Sequence, residues 1–261
     1  MEITDALNRK ISLSKTPQRI VSLVPSQTEL LVDLGLREQI VGVTKFCVHP
    51  GNLRKEKKVV GGTKQVHFDK IKNLKPDIIL CNKEENTQEM VLELGKIAPV
   101  WVSDIKSIED CCEMILSLGD LLDKNEIASK ITQQIKVETK RFSNFINAKP
   151  SLKVAYLIWK NPYMAVGDDT FINTLLELNN FKNIFQKKEG RYSEVTLEEL
   201  KKADLILLSS EPYPFSKKHI SEMKTVVNNK KILLVDGEYF SWYGSRILKA
   251  FSYFKKLHSK I

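Results

Sequence analysis

The chain has 261 residues, 42% of them hydrophobic and 28% charged, with a formal charge of +9 at pH 7. That length supports one large domain or two lobes with buried cores. No uncharged apolar run reaches the ~18 residues of a membrane span, because the best candidate, residues 20–36, is broken by Pro25, Glu29 and Asp33.

The lysines are scattered, and no helix-turn-helix, zinc finger or aromatic-basic RNA motif accompanies them, so a solvated basic surface is expected and a nucleic-acid partner is not. The first residues lack the basic and apolar regions of a secretory leader. Cys47, Cys81, Cys111 and Cys112 form no stapled framework and point to a reducing compartment.

In chain order, apolar β-branched runs at residues 19–24, 40–44, 58–60, 77–81 and 100–103 predict strands, separated by helical patterns such as 27–35 and 86–97. This half reads as a mainly parallel α/β lobe, residues 1–106. Residues 107–149 read as helical, opening on the capping box Ser107-Ile108-Glu109-Asp110. A turn at 121–125 then leads to a helix over 126–147, which at 1.5 Å per residue spans roughly 33 Å and is long enough to join two lobes. Strand signals return at 153–159, 204–209 and 231–236, with helices at 170–179 and 196–202 and a closing helix at 245–259, so residues 150–261 form a second α/β lobe.

One unit occurs twice. Residues 66–80 and 195–208 each run from a short acidic helix into an Asp, Asp77 or Asp204, that opens an all-apolar strand. Such duplication predicts two lobes of similar plan with a ligand between them. In open α/β sheets ligands gather at the carboxyl ends of strands, which selects the loops at 25–29, 45–50, 61–64, 82–86, 160–169, 210–215 and 238–246.

Several side chains in those loops carry candidate chemistry. Ser26 and Thr28 are read as helix caps, or as part of a helix N-terminus that offers N–H groups to a polar ligand. Cys47 and His49 stand two residues apart after a strand, which fits a bare metal ion, an axial ligand to a metal held in a macrocycle, or a cap beside Pro50. The run Gly61-Gly62-Thr63-Lys64 lacks the spacing of a phosphate loop and reads as a tight turn. Glu84 and Glu85 are either a solvated helix start or contacts to a ligand amide or cation. The segment 238–246 holds four aromatics in five positions and is expected to be a ligand wall with Tyr163, Tyr213 and Phe215.

Read together, Thr4-Asp5-Ala6-Leu7-Asn8-Arg9, the run from Arg19 to Glu29, Val41-Gly42-Val43, Leu74-Lys75-Pro76-Asp77 and the aromatic segment ending at Arg246 make the chain resemble a known family over nearly its whole length. It is similar to the helical-backbone substrate-binding proteins of cobalamin and iron-siderophore ABC importers. The resemblance implies two Rossmann-like lobes joined by a long α-helix, with a metal chelate held in the cleft and no catalysis or intrinsic cofactor. A cobalt corrinoid is expected ahead of a ferric siderophore or heme.

The implied ligand contacts are Ser26, Phe46, His49, Lys64, Glu84, Tyr163, Tyr213, Phe215, Trp242, Tyr243, Ser245 and Arg246. Arg246 would face a ligand phosphate or carboxylate. Asp69 and Glu198 match the positions where the family docks on arginines of the importer's permease subunits. The implied protein is a monomer of the periplasm or cell envelope; with Met1 as the native start, the missing leader implies the cytoplasm. A second reading makes it an intracellular metal- or tetrapyrrole-handling protein that uses Cys47, His49 and Glu84.

Overall fold

The computed structural model describes residues 2–227 and 230–261. Met1, on which the cytoplasmic reading turns, lies outside them. The chain divides into two α/β units. The first contains residues up to Ile105, then Glu109–Ile135 and Tyr243–Arg246; the second contains Lys106–Ile108, Lys136–Trp242 and Ile247–Ile261.

In the first unit a short antiparallel hairpin, β1 (Glu2–Thr4) with β2 (Lys10–Ser12), precedes β3 (Ile20–Ser22), α1 (Pro25–Asp33), β4 (Ile40–Val43), α2 (Leu53–Glu56), β5 (Lys58–Val59), α3 (Phe68–Asn73), β6 (Ile78–Asn82), α4 (Gln88–Gly95) and β7 (Val100–Ser103). Strands β5-β4-β3-β6-β7 pair in that order, all parallel. A parallel sheet carries helices on both faces, so its strands must be apolar at every position. The fully buried β6, Ile-Ile-Leu-Cys-Asn, follows that rule up to its last residue, packing Ile79 and Cys81 against Val21, Leu23 and Met90.

Two helices follow, α5 (Ile108–Leu121) and α6 (Asn125–Ile146), and the unit boundary falls inside α6 between Ile135 and Lys136. The second unit then runs through β8 (Leu152–Trp159), β9 (Met164–Val166), α7 (Phe171–Leu178), β10 (Phe181–Asn183), β11 (Tyr192–Glu194), α8 (Leu197–Leu200), β12 (Leu205–Ser209), α9 (Lys217–Lys224), β13 (Lys231–Val235) and α10 (Glu238–Ser241). After a 3-10 turn at Gly244–Arg246 the chain closes on α11 (Ile247–His258). The sheet order is β11-β9-β8-β12-β13, with β10 also on β8; β9 pairs antiparallel with both β8 and β11, and the other pairs are parallel. The sequence reading misses β1, β2, β9, β10 and β11, since each has three residues, too few for a strand period to announce it.

The repeated unit has a physical basis in both copies. Asp77 donates its N–H to the Arg19 carbonyl at 2.8 Å and accepts the Arg19 N–H on Oδ2 at 2.9 Å. Asp204 does the same with Lys153, at 2.7 Å and 2.9 Å. Each carboxylate thus closes the open N-terminal end of a neighbouring parallel strand, β3 or β8. An acid at the mouth of an apolar strand satisfies a backbone donor that the ladder leaves free.

Candidate functional site

In the first unit α1 begins directly after β3 with Pro25 at its first position, where the missing N–H costs nothing. Its N-cap is Val24 and makes no side-chain cap, which corrects the expectation for Ser26 and Thr28. Thr28 Oγ1 instead donates within its own helix to the Val24 carbonyl at 2.9 Å and lies 2.8 Å from Ser22 Oγ. Ser26, Gln27, Thr28 and Glu29 are all buried, because this first turn receives the segment Tyr243–Arg246.

That segment is an internal clasp of the first unit, and the expected ligand wall is corrected accordingly. Arg246 donates to Glu29 through Nε at 2.7 Å and Nη2 at 3.1 Å. Ser245 Oγ donates to Asp33, Tyr243 Oη lies 3.4 Å from the Gln27 amide nitrogen, and Gly244 N–H reaches Cys111 Sγ at 3.0 Å. Burial and the nearby Glu85 carboxyl raise the Tyr243 phenol strongly.

The residues before the clasp belong to the second unit and are also packed. Trp242 is buried and donates Nε1–H to Glu211 at 3.0 Å, Phe240 packs on Tyr156 and Phe254, and Tyr239 stacks on Tyr253 at 4.5 Å. The aromatic-rich segment therefore folds as α10 and a turn with core duties. Its periodicity is too short to announce a buried face.

At the carboxyl end of β4 the loop splits its side chains. Cys47 is fully buried, its sulfur 3.2 Å from Thr28 Oγ1 and 3.3 Å from Thr44 Oγ1, and burial pushes the thiol up. A protonated thiol between two hydroxyls is a poor metal ligand. Among the described residues no cluster of three His, Cys, Asp or Glu side chains is placed to hold a metal ion, and His49, two residues on, is half-buried.

Phe46, by contrast, is 48% exposed and opens onto a groove of about 950 Å³ shared with Lys45, Lys64, His67, Phe68 and Met90. The Lys45 ammonium lies 5.0 Å from the Phe46 ring centre. Gly61 and Gly62 form the tight turn beside it: Gly61 has φ +138°, and a Cβ on Gly62 would come 3.3 Å from the Phe46 ring. Lys64 Nζ donates to the Glu84 carbonyl, Asn86 donates to the Thr63 carbonyl at 2.8 Å, and Asn82 Oδ1 accepts from the N–H groups of Glu84 and Glu85. Burial, with the Glu84 charge behind it, raises the Glu85 carboxyl. The polar run at 82–86 is thus a turn that grips the groove's edge, with Glu84 half-buried in it.

In the second unit the loops after β8 and β12 meet. Trp159 is 40% exposed, with its ring edge-on to Tyr213 at 5.6 Å; Tyr213 in turn sits 4.8 Å from Phe215. Phe215 is 6% exposed and belongs to the core beneath, so it supports the surface without forming part of it, a correction to the expectation. Tyr163 and Tyr213 are half-buried against the same core. Lys160 is ion-paired with Glu222. The sequence reading treats Trp159 only as the end of a strand; its place after five buried positions is the signal that it emerges at the sheet's carboxyl edge.

Asp69 and Glu198 are exposed in the first turns of α3 and α8. Glu198 pairs with Lys201 at 2.6 Å. The neighbouring Glu199 closes a capping box with Thr196, and its hydrogen bond from Lys188 helps hold its carboxyl down at about 2.

Residues 20–233 match the sequence profile of a family described as Periplasmic binding protein. An uncharacterized ABC transporter substrate-binding lipoprotein, YvrC, of Bacillus subtilis (strain 168) is 28% identical over 196 residues, 72% of this chain and 62% of that protein's length. The chain thus spans less than two thirds of that relative. The vitamin B12-binding protein of Pectobacterium carotovorum subsp. carotovorum (strain PC1) is 24% identical over 242 residues, covering 90% of this chain and 86% of the relative. Among solved structures, the periplasmic vitamin B12 binding protein BtuF of Vibrio cholerae superposes with a TM-score of 0.79 at 19% identity, over 94% of this chain and 99% of that one, a likeness of fold.

Proposed function

Since the chain belongs to the periplasmic binding protein family, we propose that it is a non-catalytic receptor that takes up a metal chelate and delivers it to an ABC importer. A corrinoid of the vitamin B12 kind is the leading ligand, ahead of heme and ferric siderophores, because relatives that align over most of the chain are named for vitamin B12. The observation that carries the reading is the exposed Phe46 ring at the carboxyl edge of the first unit's sheet, over a groove of about 950 Å³. Large flat ligands are held by apolar ring surface with a few polar groups to orient them, and Lys64 and Glu84 at that groove's edge supply such groups.

Asp69 and Glu198 serve as the docking acids for arginines on the permease subunits. Both are exposed and sit in corresponding helices of the repeated unit. The protein acts as a monomer in the cell envelope. Titration calorimetry with cyanocobalamin, hemin and a ferric hydroxamate chelate tests the reading. Saturable one-to-one binding of cyanocobalamin is expected, and heat from none of the three overturns it.

A further inference from the structure

We propose that the face built by the second half of α6 and by α11 is a docking surface for an anionic phospholipid bilayer. The inference goes beyond the receptor reading and does not depend on which ligand the protein binds.

The lysines are scattered along the sequence, but the net charge is not. Residues 136–153 and 247–261 carry nine lysines or arginines and one acid, Glu138, a net +8 out of the +9 of the whole chain. Elsewhere acids and cations nearly cancel.

Folding joins these two segments within the second unit. The Phe142 ring of α6 lies 5.8 Å from the rings of Phe251 and Phe254 on α11, and Phe145 lies 6.1 Å from His258. Helix α11 buries Ile247, Ala250, Phe251, Phe254 and Leu257 at helical spacing, which turns its opposite stripe outward. The exposed positions of α11 and the turn after it are Lys249, Ser252, Lys255, Lys256, Ser259 and Lys260. On α6, past the unit boundary, they are Lys136, Val137, Lys140, Arg141 and Asn144.

These charges are left uncompensated by the fold. Glu138 pairs with Arg141 at 2.6 Å, and no ion pair to Lys149, Lys255, Lys256 or Lys260 forms among the described residues. Lys149 and Lys255 instead rest on one ring, their ammoniums 5.3 and 5.9 Å from the centre of Phe145. Two like charges over a single ring raise the local potential. His258 feels it, since its proton affinity is lowered first by burial and then by the Lys149 charge.

The side chains also select the partner. Eight of the nine cations are lysines, which are hydrated point charges on flexible stems, whereas capture of a single phosphate favours the planar fork of arginine. A nucleic-acid strand would want rings for its bases, and Phe145 is half-buried under two ammoniums while the exposed positions named above carry no ring. Four to eight basic residues on one helical face are enough to hold a protein to an anionic leaflet at physiological salt. The face shares no residue with α3 or α8, so lipid contact and the docking acids Asp69 and Glu198 use separate side chains.

The test is co-sedimentation of the full chain with vesicles of phosphatidylcholine alone and of phosphatidylcholine mixed with phosphatidylglycerol. Binding is expected to the mixed vesicles only, and to fall steeply between about 0.05 M and about 0.5 M NaCl. Lys255→Gln is expected to weaken it by about fivefold and the quadruple change Lys149→Gln, Lys255→Gln, Lys256→Gln and Lys260→Gln by more than about a hundredfold. Lys255→Arg with Lys256→Arg, which keeps the charge, should bind as the wild type does. The control removes the same charge from the first unit, through Lys15→Gln, Lys55→Gln, Lys58→Gln and Lys72→Gln, all at exposed positions, and is expected to cost less than about threefold.

Equal losses in the two quadruple variants overturn the docking face and leave only net charge. A wild type that ignores the mixed vesicles at low salt, or binds both kinds alike, overturns it too. Displacement by about 5 mM inorganic phosphate, too little to alter screening appreciably, means a local phosphate site in its place. A single-stranded oligonucleotide that binds more tightly than the vesicles reassigns the face to nucleic acid and overturns the lipid partner. Thermal midpoints equal to or above that of the wild type show that the glutamine variants are folded, since removing like charges relieves repulsion.

Discussion

Arg246 and Glu29 form an ion pair in which each side chain is 5% exposed and the two residues stand 217 positions apart in the chain. It ties the segment Tyr243–Arg246 to the first turn of α1. Two charges removed from water hold each other only while both are present, so losing one leaves an uncompensated buried charge. Arg246→Met is expected to destabilise the protein by about 3–5 kcal/mol, and Glu29→Met with Arg246→Met together by much less. Urea denaturation of the two single variants and the double variant measures the coupling; additive losses would deny it.

His258 makes stability fall in acid. Its Nε2 lies 3.1 Å from Asn179 Oδ1, its ring stacks on Phe181 at 5.1 Å, and burial lowers its proton affinity, with the Lys149 charge adding to the effect. The folded state therefore favours neutral imidazole, while the unfolded chain takes a proton near its ordinary pKa of about 6.5. The contribution is complete above that value and is lost as pH falls through it toward the folded pKa. Between about pH 7.5 and 5.5 the denaturation midpoint should drop more steeply for the wild type than for His258→Gln.

Gly61 cannot take a side chain. It has φ +138°, and a Cβ would come 2.6 Å from the Gln65 carbonyl oxygen and 2.7 Å from Val66 Cα. Gly61→Ala is expected to cost about 1–3 kcal/mol and to deform the groove edge beside Phe46. Gly51, which has open space around it and no positive φ, is the control. A thermal scan of the two alanine variants decides the point, and equal midpoints would refute it.

The cysteines should be silent in the folded protein. Cys47, Cys81, Cys111 and Cys112 are buried, and burial pushes the thiols of Cys81 and Cys111 up to about 12. Thiolate is the reactive form. Ellman's reagent should detect none of the four before denaturant is added and all four afterwards.

Asp69 and Glu198 should matter to the transporter and not to the fold. Both are exposed, and the Glu198–Lys201 pair is a surface pair worth at most ~1 kcal/mol. Asp69→Ala and Glu198→Ala are expected to keep the wild-type melting temperature and cyanocobalamin affinity while losing binding to membrane vesicles that carry the cognate permease. Undiminished vesicle binding by the double variant would remove the docking role.

Local chemistry was legible from residue order alone. The strands at Ile78–Asn82 and Leu205–Ser209 announce themselves because a sheet covered on both faces requires continuous apolar runs, and Asp77 and Asp204 mark their mouths because a free backbone donor there needs an acceptor. The long helix at Asn125–Ile146 follows from an uninterrupted pattern without Gly or Pro. These features depend on neighbours within a few residues, or on a period that the residue pattern repeats.

What only the tertiary structure decided is which polar and aromatic residues remain open to a ligand. The aromatic run at 239–243 reads as a wall, yet its partners are Tyr156, Glu211, Tyr253 and Gln27, none of which any periodicity links to it. Cys47 reads as a metal ligand until Thr28 and Thr44 close around it. Exposure is a property of how distant segments pack, so Phe46 and Trp159 stood out, and Phe215 and Arg246 withdrew, only when those segments were brought together.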